Sequence, residues 1–355
     1  MRPWCQRRLA GGLLVIVTAL ALPAAATAHG PVDPAASSFL ARISQVPAGF
    51  HGLVVDGDQR LWLQVVPART VVVLDYRGGP YLRFSTAGVD VNQASAMFYL
   101  NQVPALIPPA GIGPHVTPQW HRVSSGHAYE WHDGRLSDLA ATALTPGATY
   151  AGRWRVPLEV DGAGEAIVGG LYFRPSPSIV WFWPIIVALA CILAAMRLRR
   201  EPLDERVARG LAALALAAFG LAAVGQELHG RPTVSIGQEI TLAVMLAFVV
   251  WGARRLAVRR HGWFTFFVIA ALAIWEGASR ITVLLDGYVL QALPAALARV
   301  AVVACLSSGL ALLPLVFAMA ERPTWRRVAG RARDGGAAVA GEDPDQVQEA
   351  WQPGA

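Results

Sequence analysis

The segment WHRVSSGHAYEWHD, residues 120–133, gathers His121, His127, Glu130, His132 and Asp133 in one short run. Imidazole nitrogens and carboxylate oxygens are the ligands that an exported, thiol-free domain would offer to Cu(II) or Zn(II). In extended backbone, side chains alternate between faces. His127, Tyr129 and Trp131 then share one face, and Glu130 and His132 share the other. Glu130 and His132 are spaced to meet one ion, with Asp133 or His121 brought up across a hairpin. A second reading makes Tyr129 and Trp131 core residues and gives His132 a capping role at the turn HDG.

His29 is the sharpest single candidate. It follows Ala26-Thr27-Ala28, where a secretory leader would be cut. A chain that begins with histidine offers its amine and Nδ1 to one copper ion. Against this stands PVDPAASS, a flexible-looking sequence that does not preform a brace. The same AHG start resembles periplasmic copper-resistance proteins and the exported subunit of copper-dependent monooxygenases, over those three residues.

A third set lies at a membrane boundary. Glu227 and His229 follow one apolar stretch and Glu239 begins the next, with Glu276, Arg280, Asp286 and Arg299 on the same side. Glu276 and Arg280 stand at i,i+4 and read first as an ion pair within one helix. Read as a polar seat, Glu227, His229 and Glu239 point to a metal-ion transporter. Enzyme signatures are missing: there is no G-x-S-x-G, H-E-x-x-H, phosphate-binding glycine loop or dinucleotide fingerprint.

The elements that must position these residues are legible in composition. The chain has 355 residues, 54% of them hydrophobic and only 15% charged, and every Lys-or-Arg position is arginine. Arg2, Arg7 and Arg8, the apolar run LLVIVTALAL and the small residues at 26 and 28 predict a signal peptide over 1–28. Five apolar stretches follow, at 179–197, 207–226, 236–253, 263–283 and 292–320, each near the ~20 residues that cross a bilayer. Arginines cluster after the first, third and fifth, which places those ends in the cytoplasm and residues 29–177 outside. The bilayer is therefore a partner. The arginines serve topology, so nucleic acid is not a partner. Residues 321–355 are expected as a disordered cytoplasmic tail.

Residues 29–177 carry strand patterns. RLWLQVV sends Leu61, Leu63 and Val65 to one face, and RWRVPLEV sends Trp154, Val156, Leu158 and Val160 to one face. TVVVLDY, PYLRFS, GVDVN and AIVGGLYF add strands separated by Gly and Pro turns. VPALIPPAGIGPHVTPQ is a Pro-rich loop. The expected fold is an exported all-β, immunoglobulin-like sandwich followed by an all-α domain of five transmembrane helices over 178–320.

VDGDQRLWLQV, TVVVLDYRGGPYLRFSTAGVDVNQASAMFYLN and WHRVSSGHAYEWHDGR resemble an uncharacterised family of membrane proteins from GC-rich Gram-positive bacteria. The resemblance covers the exported domain and the first span. It implies a W-H-D-H-R-x-H-W-M motif. This chain keeps Trp131, His132, Asp133 and Arg135 but has Gly134, Ser137, Asp138 and Leu139 at the other positions. It implies no established activity and associates with copper handling. The expected function is a non-enzymatic binding module, with copper as the implied cofactor. The alternative is a structural partner of another exported or membrane protein.

Overall fold

The computed structural model describes residues 34–321, apart from 103–104, 142–143, 196, 198–200, 231, 233 and 259–262. The leader, His29, His261 and the tail lie outside the described residues.

Among the described residues, eleven strands run between Ala36 and Phe173: β1 (Ala36–Ser37), β2 (Phe39–Gln45), β3 (His51–Val55), β4 (Arg60–Gln64), β5 (Val71–Leu74), β6 (Pro80–Ser85), β7 (Gly88–Asn92), β8 (Trp120–Ser124), β9 (Ala128–His132), β10 (Tyr150–Val160) and β11 (Ala163–Phe173). A short helix, α1 (Ala96–Leu100), follows β7. One sheet has seven strands in the order β2-β11-β10-β5-β6-β7-β8, and a second has three in the order β3-β4-β9. The pairing is unequal, unlike the near-equal sheets of an immunoglobulin domain. Both sheets turn apolar faces into one core. Leu61, Leu63 and Trp131 come from the smaller sheet, and Val73, Leu82, Phe84, Val156, Leu158 and Ile167 from the larger. The alternation in RLWLQVV and RWRVPLEV therefore sorts inside from outside as the period-two rule requires.

Every ladder within the two sheets is antiparallel, so successive connections fall at opposite ends. One end, the base, collects residues 56–59, 75–79, 93–102, 105–119, 133–141 and 144–149. The other end, the tip, has the tight connections, including 86–87 and 161–162.

The helices are α2 (Trp183–Ala195), α3 (Glu201–Glu227), α4 (Ile236–Ala257), α5 (Trp263–Ser279), a single turn α6 (Thr282–Leu285) and α7 (Ala295–Glu321). Strand β12 (Tyr288–Val289) lies between α6 and α7. Helix α7 is central and packs against α5, α3 and α2, whereas α4 leans mainly on α3. Small residues set these approaches. Ala208, Ala212 and Ala215 are fully buried, and a Cβ on Gly277 would stand 2.7 Å from Leu306. Close packing of small residues is what joins helices in lipid, where tails are as apolar as leucine.

Among the described residues, three helices are long and apolar enough to cross a membrane: Asp204–Glu227, Ile236–Ala257 and Ala295–Ala320. Two apolar helices are shorter, Ile179–Ala195 and Trp263–Ser279. Seventeen residues at 1.5 Å each reach about 26 Å, just under a ~30 Å hydrocarbon core. The stretch expected through 283 breaks at Ser279, whose hydroxyl donates to the Glu276 carbonyl, and the chain turns into α6.

The base of the β region sits on the loop between α5 and α7. β1 pairs antiparallel with β12, Ala36 opposite Val289 and Ser37 opposite Tyr288. The Leu290 N–H donates to the Ala35 carbonyl at 2.9 Å. Ser38 Oγ donates to Asp286 Oδ1 at 2.7 Å, and the Arg174 guanidinium lies 5.3 Å over the Tyr288 ring. Arg299, on α7, donates to the carbonyls of Val283, Asp286 and Gly287 and so holds the loop in shape.

Candidate functional site

Two sequence motifs meet at the base. In the first, DYRGG, the Asp75 carboxylate closes a turn. Its Oδ1 accepts from the N–H groups of Arg77 and Gly79, each at 2.9 Å, and its Oδ2 accepts from Ser95 Oγ at 2.9 Å. Gly78 adopts φ +84°, the left-handed conformation that favours glycine. In the second, WHDGR, Asp133 is fully buried. It accepts from Trp131 Nε1 at 2.9 Å and takes a two-pronged contact from Arg135, Nε at 2.8 Å and a terminal nitrogen at 2.6 Å. The other guanidinium arm donates to the Leu74 carbonyl at 2.9 Å. A buried carboxylate is tolerable only when paired and hydrogen-bonded in this way.

Tyr76 bridges the motifs. Its ring lies 5.2 Å beneath the Arg135 guanidinium, and its hydroxyl accepts from the Gly134 N–H at 2.8 Å. Burial, and then the Asp133 charge, push the Tyr76 phenol above its ordinary range. An open cleft of about 610 Å³ runs between Tyr76, Gly78, Arg135, Asp138 and Pro157. It offers an aromatic face, a guanidinium edge and a carboxylate, a set suited to hydrogen-bonded recognition.

The expected metal ligands disperse. Glu130 is paired with Arg60 at 2.9 Å, and Arg60 is also 3.4 Å from Asp56. His132 stands opposite Arg60 at the base, and its N–H donates to Asn101 Oδ1 at 2.9 Å. His127 precedes the other end of β9, about 17 Å of strand away. The expected hairpin between His121 and His132 does not form. β8 pairs with β7 and β9 with β4, so the chain crosses from one sheet to the other at residues 125–127. Arg122 fastens β8 to β7 by pairing with Asp90 at 2.5 Å, alongside Arg83 at 2.9 Å. Burial opposes ionisation of Asp90, but the hydrogen bonds from Arg122 and Arg83 outweigh it and hold the carboxyl below its usual range.

Glu227 ends α3 and His229 lies in the following turn. Glu239 sits exposed in the first turn of α4, where its charge suits the helix dipole. Glu276 and Arg280 form the expected i,i+4 pair at 2.5 Å, buried in the bundle. Among the described residues, no three His, Cys, Asp or Glu side chains gather to hold a metal ion.

Compared with protein families, curated proteins and solved structures, the chain matches none.

Sequence reasoning singled out His132 and passed over Asp75, Tyr76 and Arg135 as site residues. An aspartate before a glycine pair and an Asp-x-Arg step were the available signals, and each marks a turn as readily as a site.

Proposed function

We propose that the chain is a non-enzymatic assembly or binding module, in which an extracytoplasmic β domain is fixed base-down on a membrane anchor and docks a partner without a metal. The observation that carries this reading is the clamp of β1 on β12 with Ser38 on Asp286. A domain tied to its helices at both its entry and its exit presents a fixed surface, as an assembly platform needs. The carboxylates beside His132 are committed to arginines, which favours the metal-free reading over copper.

We read all five apolar helices as spans and the β region as an exported, immunoglobulin-like sandwich with an enlarged sheet. Arginine asymmetry supports that orientation. So does the loop between α5 and α7, which the asymmetry puts outside and which touches the β domain.

Copper titration of the full chain in nanodiscs separates the readings. The metal-free module binds Cu(II) no more tightly than free histidine does. A tight site abolished by one residue added before His29, or by His132→Ala, would establish the copper reading instead. The transporter reading through Glu227, His229 and Glu239 requires metal uptake that falls in the His229→Ala, Glu239→Ala double variant. A photo-crosslinker at Tyr76, in native membranes, should give one discrete adduct, and one at Ala87 on the tip none. Absence of an adduct at Tyr76 would contradict docking at the base.

A further inference from the structure

Between Asp90 and Arg122 the sequence carries no Asp, Glu, Lys or Arg. The described residues between β7 and β8 belong to a base connection, on the side of the β domain that rests on the helices. Ile107 is 92% exposed, more than any other large apolar residue described, and Leu106 beside it is 49% exposed. Leu100 and Val116 add to the same exposed loop. Water is a poor neighbour for such a set, and the surfaces of monomeric soluble proteins seldom keep one.

The loop is held in place at its roots. The Leu106 N–H donates to the Tyr99 carbonyl at 2.9 Å, and Arg77 donates to the Ile112 carbonyl at 3.3 Å. Gly79 lets Pro114 pack close, since a Cβ there would stand 2.8 Å from Pro114 Cα. The tip, by contrast, carries charge, with Arg69 paired to Asp161 at 3.0 Å.

We propose that Leu106 and Ile107 dip into the outer leaflet of the bilayer, so that the β domain touches lipid directly as well as its own helices. Continuity with the helices favours lipid. The same end of the domain is joined through β1 and β12 to a loop between two apolar helices. Ile179 and Trp183, where the chain leaves the β domain and enters α2, are themselves 77% and 58% exposed. An uncharged loop with aliphatic residues at its crest is what the boundary between headgroups and acyl chains accepts. This inference rests on the reading of the helices as membrane spans.

The test uses the full chain in phosphatidylcholine–phosphatidylglycerol vesicles, with Cys5, Cys191 and Cys305 replaced by alanine. A fluorescent nitrobenzoxadiazole probe is placed at Ile107→Cys and, separately, at Leu106→Cys. Ala87→Cys on the tip serves as the aqueous reference and Val244→Cys on the exposed face of α4 as the lipid reference. Lipid contact predicts that spin-labelled lipids quench the probes at 106 and 107 as they quench the one at 244. Iodide should quench them at least about threefold less than the one at 87. Quenching at 106 and 107 that matches position 87 would overturn the proposal. Shielding from both quenchers would also overturn it, because a protein would then cover the loop. If position 244 itself escapes lipid quenching, the membrane reading fails first.

Discussion

Arg60 on β4 reaches across to Glu130 on β9 at 2.9 Å, and the same guanidinium lies 3.4 Å from Asp56. One arginine thus occupies the carboxylate that stands two residues from His132. Both partners are about one-fifth exposed, so solvent screens the pair. Glu130→Gln should cost no more than about 1 kcal/mol in thermal or denaturant unfolding. It should leave the weak affinity for Cu(II) unchanged, as read by isothermal titration.

Asp133 and Arg135 behave differently because Asp133 is fully buried and Arg135 mostly covered. Asp133→Asn leaves the Arg135 guanidinium without its counter-charge and weakens the bond from Trp131. A loss of about 3–5 kcal/mol is expected, read as the shift in unfolding midpoint. Arg135→Lys should recover only part of it, since an ammonium cannot make the forked contact or stack on Tyr76.

Asp58 lies in the turn pressed against the clamp, and burial raises its carboxyl to about 6. In the unfolded chain it ionises near pH 4. The folded state thus favours the protonated form. Stability from this group is fully present below about pH 4 and is lost as pH rises through about 6. Asp58→Asn should raise stability at pH 7 by up to about 3 kcal/mol and have little effect at pH 4. Melting curves at the two pH values check this.

Gly57 fits where a side chain would not. Its φ is +80°, and a Cβ would stand 3.2 Å from both Leu290 Cδ1 and Ser37 Cβ. Gly57→Ala should loosen the β domain from the helices and speed proteolysis at the link 174–178. Secondary structure by circular dichroism should stay intact.

Local pattern carried much of the fold. Alternation placed Leu61, Leu63, Trp154 and Val156 inside because a half-buried strand has a period of two, and the apolar stretches marked the helices. What stayed hidden was long-range. β1 and β12 have two residues each, too few to show a period, and Ser38 and Asp286 are 248 residues apart. Histidine density was the most visible chemical signal, yet the crossing from β8 to β9 puts His121 and His132 in different sheets. The cleft joins Asp75 and Tyr76 to Arg135, and nothing local in either segment announces the other.

Cross-linking Ser37→Cys with Tyr288→Cys tests the clamp most directly. In native membranes, with Cys5, Cys191 and Cys305 replaced by alanine, mild oxidation should join the two within one chain almost completely, and Ala87→Cys with Tyr288→Cys should not react. A 37–288 pair that stays reduced, or links only between chains, would contradict a β domain fixed base-down on its helices.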